Sequence, residues 1–185
     1  MTAVSIAFPV PIGAANDVLR DALAAIDAVH GDGPLPRTPI VRRSLPPGQR
    51  GYYGPEREEI VIGQFAPDPP LTLLHEVGHV IDGHGFSLDG TFASMSDNRF
   101  ERWRAAVTKT VAAFELGRLT DRAVHPGLRE HFEYLGQIDE LWARSYTQHV
   151  VVRSGRPLLT SMLDRRLERR AGRLFIPYYW DEDDF

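Results

Sequence analysis

The stretch "LTLLHEVGHVIDGHG" occupies residues 71–85 and carries the strongest structural signal in the chain. It opens with apolar residues, places His75 and His79 four positions apart, and sets Glu76 directly after the first histidine. Residues on a helix advance by about 100° each, so the two imidazoles lie about one turn apart on the same face. Imidazoles at that spacing can reach one metal ion, and Glu76 can reach a water beside the ion.

The residues around the two histidines predict that this helix is buried. Its apolar positions are Leu71, Leu73, Leu74, Val77, Val80 and Ile81. Gly78, between the histidines, would let a neighbouring element approach closely. Because burying imidazoles is costly unless a partner satisfies them, two interpretations follow. The pair is either a metal site or two hydrogen-bonded histidines of the core.

The motif alone does not supply enough ligands, since a catalytic zinc takes three protein ligands and a water. Zinc proteases that place a third ligand ten positions after the first histidine need it at position 85, where this chain has Gly85, with His84 one position off. Asp82 lies about 20° from His75 around a regular helix. We interpret Asp82 as a hydrogen-bond acceptor for the N–H of a ligand imidazole, which it would orient. The alternatives are that Asp82 binds the metal directly or that it has no role in the site.

A later helix offers another third ligand. Glu140 lies beside the apolar residues Ile138, Leu141 and Trp142, and a carboxylate next to a core stripe needs a partner. A metal ion would be such a partner, and a solvated or salt-bridged glutamate is the alternative. The competing ligands in the same region are Glu133, Asp139 and His149.

Composition narrows the class of protein. The 185 residues are 43% apolar and 25% charged, which suits a single globular domain over residues 1–185. The absence of cysteine excludes disulfides and thiolate zinc sites. The net charge of −4 and the lack of phosphate-binding glycine loops argue against a nucleic-acid partner. No apolar run or basic leader indicates a membrane span or a secretory signal, so we expect a cytoplasmic protein with no membrane partner.

The pattern along the chain predicts an α+β fold, with a helix and a sheet region over residues 1–70, a helical part over 71–177 and an aromatic-acidic tail over 178–185. Apolar spacing predicts a first helix over residues 14–30. The segment "PIVRRSL" (39–45) is a possible strand, and "RGYYGPEREEIVIG" (50–63) reads as a hairpin that turns at Gly54-Pro55.

Helices dominate the second half of the predicted fold. Residues 83–97 form a loop, and a long helix over 97–118 starts at Asp97 and aligns Trp103, Val107, Val111 and Phe114 on one face. A turn at 125–127 precedes a helix over about 128–153, and a basic helix follows over 158–175. We expect this basic helix and the acidic "DEDD" (181–184) to be solvated, and the aromatic residues Tyr178, Tyr179 and Trp180 to anchor the C-terminus.

Two segments carry a resemblance to a known group of enzymes. "HEVGHVID" (75–82), followed by "DELWARSYTQHVVVRSG" (139–155), resembles the glutamate-zincin metallopeptidases, in which a glutamate from a later helix completes the zinc site. The second segment and "PYYWDEDDF" (177–185) are similar to the peptidase-like domain of phage head-morphogenesis (minor capsid) proteins. The first is also similar to the anthrax lethal-factor-like group. The likeness covers roughly residues 50–185.

The resemblance implies a zincin-like fold, a small antiparallel or mixed sheet packed on the HExxH helix, and a Zn²⁺ cofactor. It implies His75, His79 and Glu140 as zinc ligands, Glu76 as the general base and Asp82 as an orienting partner. A tyrosine shortly before the third ligand stabilises the oxyanion in lethal-factor-like enzymes, which points to Tyr134. The strand "EIVIG" (59–63) would be the edge strand that binds an extended substrate.

The function expected from the sequence is therefore zinc-dependent hydrolysis of peptide bonds in a protein or peptide substrate. Two alternatives stay open. The chain is a non-catalytic, phage-derived interaction module that keeps a metal for stability, or it is the protease domain of a toxin. Glu76 favours an enzyme, because a structural metal site needs no base.

Overall fold

The computed structural model describes residues 7–10, 13, 16–30, 36–86, 91–168 and 179–180. In chain order the elements of this part are α1 (Asp17–Val29), β1 (Ile40–Arg43), β2 (Gly51–Gly54), β3 (Glu59–Gly63), α2 (Pro69–Val80), α3 (Ala93–Ser96), α4 (Glu101–Val107), α5 (Val111–Arg122), α6 (Pro126–Leu135), α7 (Ile138–Ser154) and α8 (Pro157–Glu168). These residues therefore form a mixed α and β fold, as the sequence predicts.

The three strands form one small mixed sheet in the order β1-β3-β2. β2 pairs antiparallel with β3, with Tyr52 opposite Val61, which confirms the predicted hairpin. β1 pairs parallel with β3, with Ile40 opposite Ile60, which confirms the strand in "PIVRRSL". The expectation that "EIVIG" is an edge strand is wrong, because β3 is paired on both sides and fully buried. The outer strands are β1 and β2.

The helix α2, which carries the histidine pair, lies at the centre of the fold. It begins with Pro69 and Pro70, where the missing N–H groups cost nothing because the first turn has no helical partner for them. Its leucines and valines are buried between α1 and the sheet on one side and α7 on the other. After Val80 the helix widens into a π-helical turn over Ile81–Gly85.

Two predicted long helices are each broken in the structure. The helix expected over 97–118 is a 3₁₀ turn (Asn98–Phe100) followed by α4 and then α5, because the side chain of Thr110 caps a new start by accepting from the N–H of Ala113. Its predicted apolar face is confirmed for Val107 and Trp103, which pack in a small apolar cluster, and wrong for Val111 and Phe114, which are exposed. The helix expected over 128–153 is α6 and α7, separated at Gly136 and Gln137, where Gln137 has an extended backbone.

The largest apolar core lies where α1, the sheet, α2, α7 and α8 meet, and it includes Tyr179. A smaller cluster joins Val107, Ala112 and Leu141 to Trp180, which confirms that these two C-terminal aromatic residues are buried. Tyr178, the acidic segment 181–184 and Arg169, Arg170 and Arg173 lie outside the described residues. Among the helices that are described, none has the length and apolar character to cross a bilayer.

Candidate metal centre

The two histidines of α2 and a glutamate of α7 converge on one point. Nε2 of His75 lies 3.2 Å from Nε2 of His79 and 3.2 Å from Oε2 of Glu140. Nε2 of His79 lies 3.4 Å from Oε1 of Glu140. Each residue offers one ligand atom, and these atoms all lie within 4.8 Å of one another. The predicted third ligand is therefore placed beside the predicted pair, although Glu140 is distant in sequence.

The spacing of these atoms fits a tetrahedral metal ion. Zn–N and Zn–O bonds are about 2.0–2.2 Å long, so two ligands of a tetrahedral zinc are about 3.3–3.6 Å apart. The two imidazole nitrogens are 3.2 Å apart, and each lies near this distance from one oxygen of the Glu140 carboxylate, 3.2 Å from Oε2 for His75 and 3.4 Å from Oε1 for His79. Two imidazoles and one carboxylate also leave a fourth position for water, which is the arrangement of a catalytic rather than a structural zinc site.

A close contact between helices holds Glu140 in reach of the histidines. A Cβ added at Gly78 would lie only 3.0 Å from Cα of Ala143, so the glycine lets α2 and α7 touch through their backbones. This confirms the close approach that the sequence predicts at Gly78. Nε1 of Trp142 also donates to the backbone carbonyl of Gly78 at 3.1 Å. α7 is therefore fixed to α2 at the turn between the two histidines.

Glu76 lies beside the cluster and is buried, with 5% of its surface exposed. Glu76 is not one of the three residues whose ligand atoms converge. Burial raises the pKa of Glu76, and the nearby His75 and His79 offset only part of that effect. The backbone N–H of Tyr53 donates to its carboxylate. A buried carboxylate with a raised pKa is suited to taking up a proton and passing it on.

The strand β2 lies directly against Glu76 because Gly51 has no side chain. A Cβ at this position would lie 2.7 Å from Cγ2 of Thr72, 2.8 Å from the carbonyl oxygen of Val61 and 3.3 Å from Oε1 of Glu76. Neither Gly51 nor Tyr53 is among the site residues predicted from the sequence. A glycine inside a strand is a known sign of close backbone approach, so Gly51 carried a usable signal, whereas Tyr53 acts through its backbone and carried none.

Glu140 and the two histidines influence each other's ionisation. Burial disfavours the ionised form of Glu140, but its hydrogen bonds and its charge interactions with His75 and His79 together outweigh burial and hold its pKa well below the usual range. Burial by itself would lower the pKa of His79, but the hydrogen bond with Glu140 and the negative charges of Glu76, Glu140 and Asp139 together outweigh burial and raise the pKa. Glu140 is thus ionised near neutral pH, as a metal ligand must be.

Tyr134 reaches the cluster from α6. Its hydroxyl donates to Oε1 of Glu140, and 47% of the residue is exposed. Burial of the hydroxyl and the nearby Glu140 charge raise the pKa of Tyr134, which keeps it a proton donor. On an unbroken helix Tyr134 would point about 120° away from Glu140. Because the chain is not helical at Gly136 and Gln137, the two residues lie on different helices, and this angle does not apply.

Asp82 has partners other than the ligand imidazoles. Its Oδ1 accepts from the backbone N–H of Ser94 at 2.7 Å, and its Oδ2 accepts from the Ser94 hydroxyl. Burial raises the pKa of Asp82, although these two hydrogen bonds act against it. Within the described ranges Nδ1 of His79 has no hydrogen-bond partner, and its ring packs 5.4 Å from that of Phe92. An orienting role for Asp82 therefore stays a prediction, and the hydrogen bonds seen here link it to α3 instead.

The other ligands considered from sequence lie elsewhere. Glu133 is exposed on α6, and His149 is exposed on α7, beside a different cavity. Asp139 lines the cleft but is not part of the cluster. His84, in the π-helical turn, contacts the hydroxyl of Tyr53 at 2.5 Å. None of the four is brought to the point where His75, His79 and Glu140 meet.

The cluster opens into a cleft of about 560 Å³. One wall is the edge strand β2 with the residues before it, and the other walls come from α2, α6, α7 and the C-terminal part of α8. A cleft of this volume can hold several residues of a peptide. The geometry thus combines three ligand atoms, an adjacent buried acid, a tyrosine hydroxyl and room for a substrate.

Comparison of the sequence with protein-family models, with curated proteins and with solved structures found no match.

Proposed function

We propose that this protein is a zinc-dependent metalloendopeptidase of the glutamate-zincin type. The observation that supports this most strongly is the convergence of His75, His79 and Glu140, whose ligand atoms lie within 4.8 Å of one another, with the buried carboxylate of Glu76 beside them. Zinc bound to the three ligands would polarise a carbonyl and lower the pKa of a water. A phage-related role remains part of the proposal only through the resemblance in sequence.

Glu76 acts as the general base in this proposal. Its raised pKa lets it accept a proton from the attacking water and return that proton to the leaving amine of the cleaved peptide bond. The N–H of Tyr53 and the absence of a side chain at Gly51 hold the carboxylate in position. The base is thus fixed by the same strand that forms one wall of the cleft.

Tyr134 serves as a hydrogen-bond donor to the oxygen of the scissile carbonyl. Its hydroxyl lies at the cluster and its raised pKa keeps the proton on the phenol. In the proposal the hydroxyl leaves Glu140 when substrate enters and donates to the developing negative charge. The edge strand β2, rather than β3, receives the extended substrate, because it is the outer strand that lines the cleft.

The decisive experiment replaces Glu76 with Gln. We expect peptide hydrolysis to fall by about 10²–10⁴-fold, because the amide cannot accept the proton, while the zinc content and the melting temperature stay unchanged. Activity is measured by mass spectrometry on a peptide digest of a whole proteome, and zinc by elemental analysis. The matched control is Glu133→Gln, which removes the same charge from an exposed position of α6.

Two results would contradict the proposal. One is full activity in Glu76→Gln, and the other is a zinc-loaded wild-type protein that hydrolyses no peptide in the digest. The second result, with zinc still bound, would favour a structural metal. Toxicity on expression that disappears in Glu76→Gln would indicate the protease domain of a toxin.

A further inference from the structure

The cleft extends from the metal centre along α2 towards the N-terminus of that helix. Arg166 of α8 and Tyr179 line it together with His75 and Glu76. The side chain of Arg166 is 10% exposed, so the cation is nine-tenths buried in the wall of the cleft. Nothing in the sequence distinguished Arg166 from the other arginines of its basic run.

The hydrogen bonds of Arg166 leave one donor group unused. Nε of Arg166 donates to Oδ2 of Asp68 at 3.0 Å, and Nη1 donates to the hydroxyl of Tyr179 at 3.4 Å. The guanidinium also lies over the Tyr179 ring, 5.8 Å from its centre. Nη2 is buried and, among the residues that the structure describes, has no hydrogen-bond partner. A buried donor on a cation without an acceptor is unfavourable, so the site is incomplete as it stands.

The missing acceptor is of a definite chemical kind. A guanidinium binds a carboxylate through charge-assisted hydrogen bonds, and its planar shape favours that partner over a neutral carbonyl. Arg50 and Arg144 line the same cleft, and its acidic lining residues are Glu76, Asp139 and Glu140. A divalent ion held by His75, His79 and Glu140 would offset two of these negative charges. The Nη2 group of Arg166, which has no partner among the described residues, therefore favours an anionic group of the substrate.

The position of Arg166 sets how far that group lies from the cleaved bond. Asp68, its partner, precedes His75 by seven positions, which is about 10 Å along a helix axis. An extended peptide advances about 3.3 Å per residue. A side chain that reaches Arg166 therefore belongs to a residue about three positions from the scissile bond.

We propose that Arg166, held by Asp68 and Tyr179, forms a subsite for a carboxylate of the substrate about three residues from the hydrolysed bond. The carboxylate is either an aspartate or glutamate side chain or the C-terminal carboxylate of a short peptide. The position relative to the scissile bond rests on the proposed function, whereas recognition of the carboxylate is measurable without hydrolysis.

Binding is measured on the full chain carrying Glu76→Gln and loaded with zinc, so that peptides are not consumed. The probes are fluorescein-labelled alanine–serine dodecapeptides in which a single glutamate is moved along the chain, each paired with its glutamine counterpart. We expect the best glutamate peptide to bind about 10–100-fold more tightly than its glutamine pair by fluorescence anisotropy. Amidation of the C-terminus separates the two sources of carboxylate, because it removes binding only if the terminal group is recognised.

Adding Arg166→Gln should abolish the preference for glutamate, and Arg166→Lys should keep part of it. Arg165→Gln is the matched control, because this neighbouring arginine is exposed and its loss changes the net charge equally. If Arg166→Gln unfolds the protein, the double variant Asp68→Asn with Arg166→Gln removes both ends of the ion pair and avoids a buried unpaired carboxylate. A glutamate preference that survives in a folded Arg166 variant overturns the proposal, as does equal or undetectable binding of all peptides.

The two proposals fail in different ways. A wild-type protein that hydrolyses nothing but binds glutamate peptides through Arg166 contradicts the proposed function and supports the subsite. A protein that hydrolyses peptides with no preference for a carboxylate, unaffected by Arg166→Gln, contradicts the subsite alone.

Discussion

Tyr134 and Glu140 are six positions apart, yet the hydroxyl of one contacts the carboxylate of the other. The contact exists because the chain turns at Gly136 and Gln137 between α6 and α7. The tyrosine is half exposed, so in the proposed reaction its hydroxyl would leave Glu140 for a substrate oxygen without unfolding either helix. At the scale of single residues, this hydroxyl is the group whose role is most directly testable.

Replacing Tyr134 with Phe should lower kcat by about 10²-fold with little change in zinc content, because one donor to the developing negative charge is lost. Steady-state kinetics and elemental analysis measure the two effects. Tyr146→Phe is the control, because its buried hydroxyl has no hydrogen-bond partner in the described part of the chain and its loss should be neutral. Unchanged kcat in Tyr134→Phe would exclude the role.

The sequence predicts some site residues well and others poorly, for a physical reason. His75, Glu76 and His79 belong to one helix, so their spacing alone determines that they share a face. Asp82 was placed with the same arithmetic, but the helix widens into a π-helical turn from Ile81, and the Asp82 carboxylate bonds to Ser94. Tyr53 and Arg166 reach the site through tertiary packing, which helix periodicity does not describe.

At the scale of elements, the contact between α2 and α7 determines whether three ligands can meet. Gly78 and Ala143 allow the two backbones to approach to contact distance, and Trp142 ties them with a hydrogen bond. Both helices belong to the main core of the protein. A small increase in their separation would move Glu140 away from both imidazoles at once.

Gly78→Ala should therefore weaken zinc binding by at least about tenfold and lower stability, because the new methyl group meets the backbone of Ala143 at 3.0 Å. Gly117→Ala is the matched control on α5, where an added Cβ meets no atom within 4 Å. That change should raise stability by up to about 1 kcal/mol through helix propensity. Zinc titration measures the affinity of each variant, and chemical denaturation measures its stability. Zinc binding by Gly78→Ala as tight as in the wild type would show that this helix contact does not position Glu140.

The elements themselves were predicted unevenly. α1, the hairpin and α2 carry local signals, namely apolar periodicity, a Gly-Pro turn and prolines at the first helical turn, and all three are confirmed. The two long helices of the second half were wrong, because periodicity continues across breaks that a cap at Thr110 and an extended residue at Gln137 introduce. The order of the strands depends on long-range pairing, so the sequence did not reveal that β3 is central.

At the scale of the whole molecule, the predicted metal joins elements that are far apart in sequence. His75 and His79 come from α2, and Glu140 comes from α7, with α3 to α6 in between. An ion bound to both helices exists only in the folded chain. The binding free energy of such an ion would therefore add to the free energy of unfolding.

Zinc at about 1,000 times its Kd should raise the free energy of unfolding by about 4 kcal/mol, and a chelator should remove that gain. For a chain of this size the corresponding change in Tm is about 10 °C. Urea denaturation and thermal melts, each with zinc or with chelator, measure the effect. His75→Ala should abolish the gain, and His125→Ala, an exposed histidine at the start of α6, should keep it.

A chelator without effect on wild-type stability would exclude a metal that joins α2 and α7. An equal gain in His75→Ala would place the metal at some other group.

The hydrogen bond from Trp142 to Gly78 has one more consequence. This indole is two residues from Glu140, and its N–H contacts the carbonyl between the two histidines. The chain has three tryptophans, so replacing Trp103 and Trp180 with Phe leaves Trp142 as the sole indole chromophore. Its emission spectrum should then shift when the ion enters, which would let occupancy be followed optically in a stopped-flow instrument without any added label.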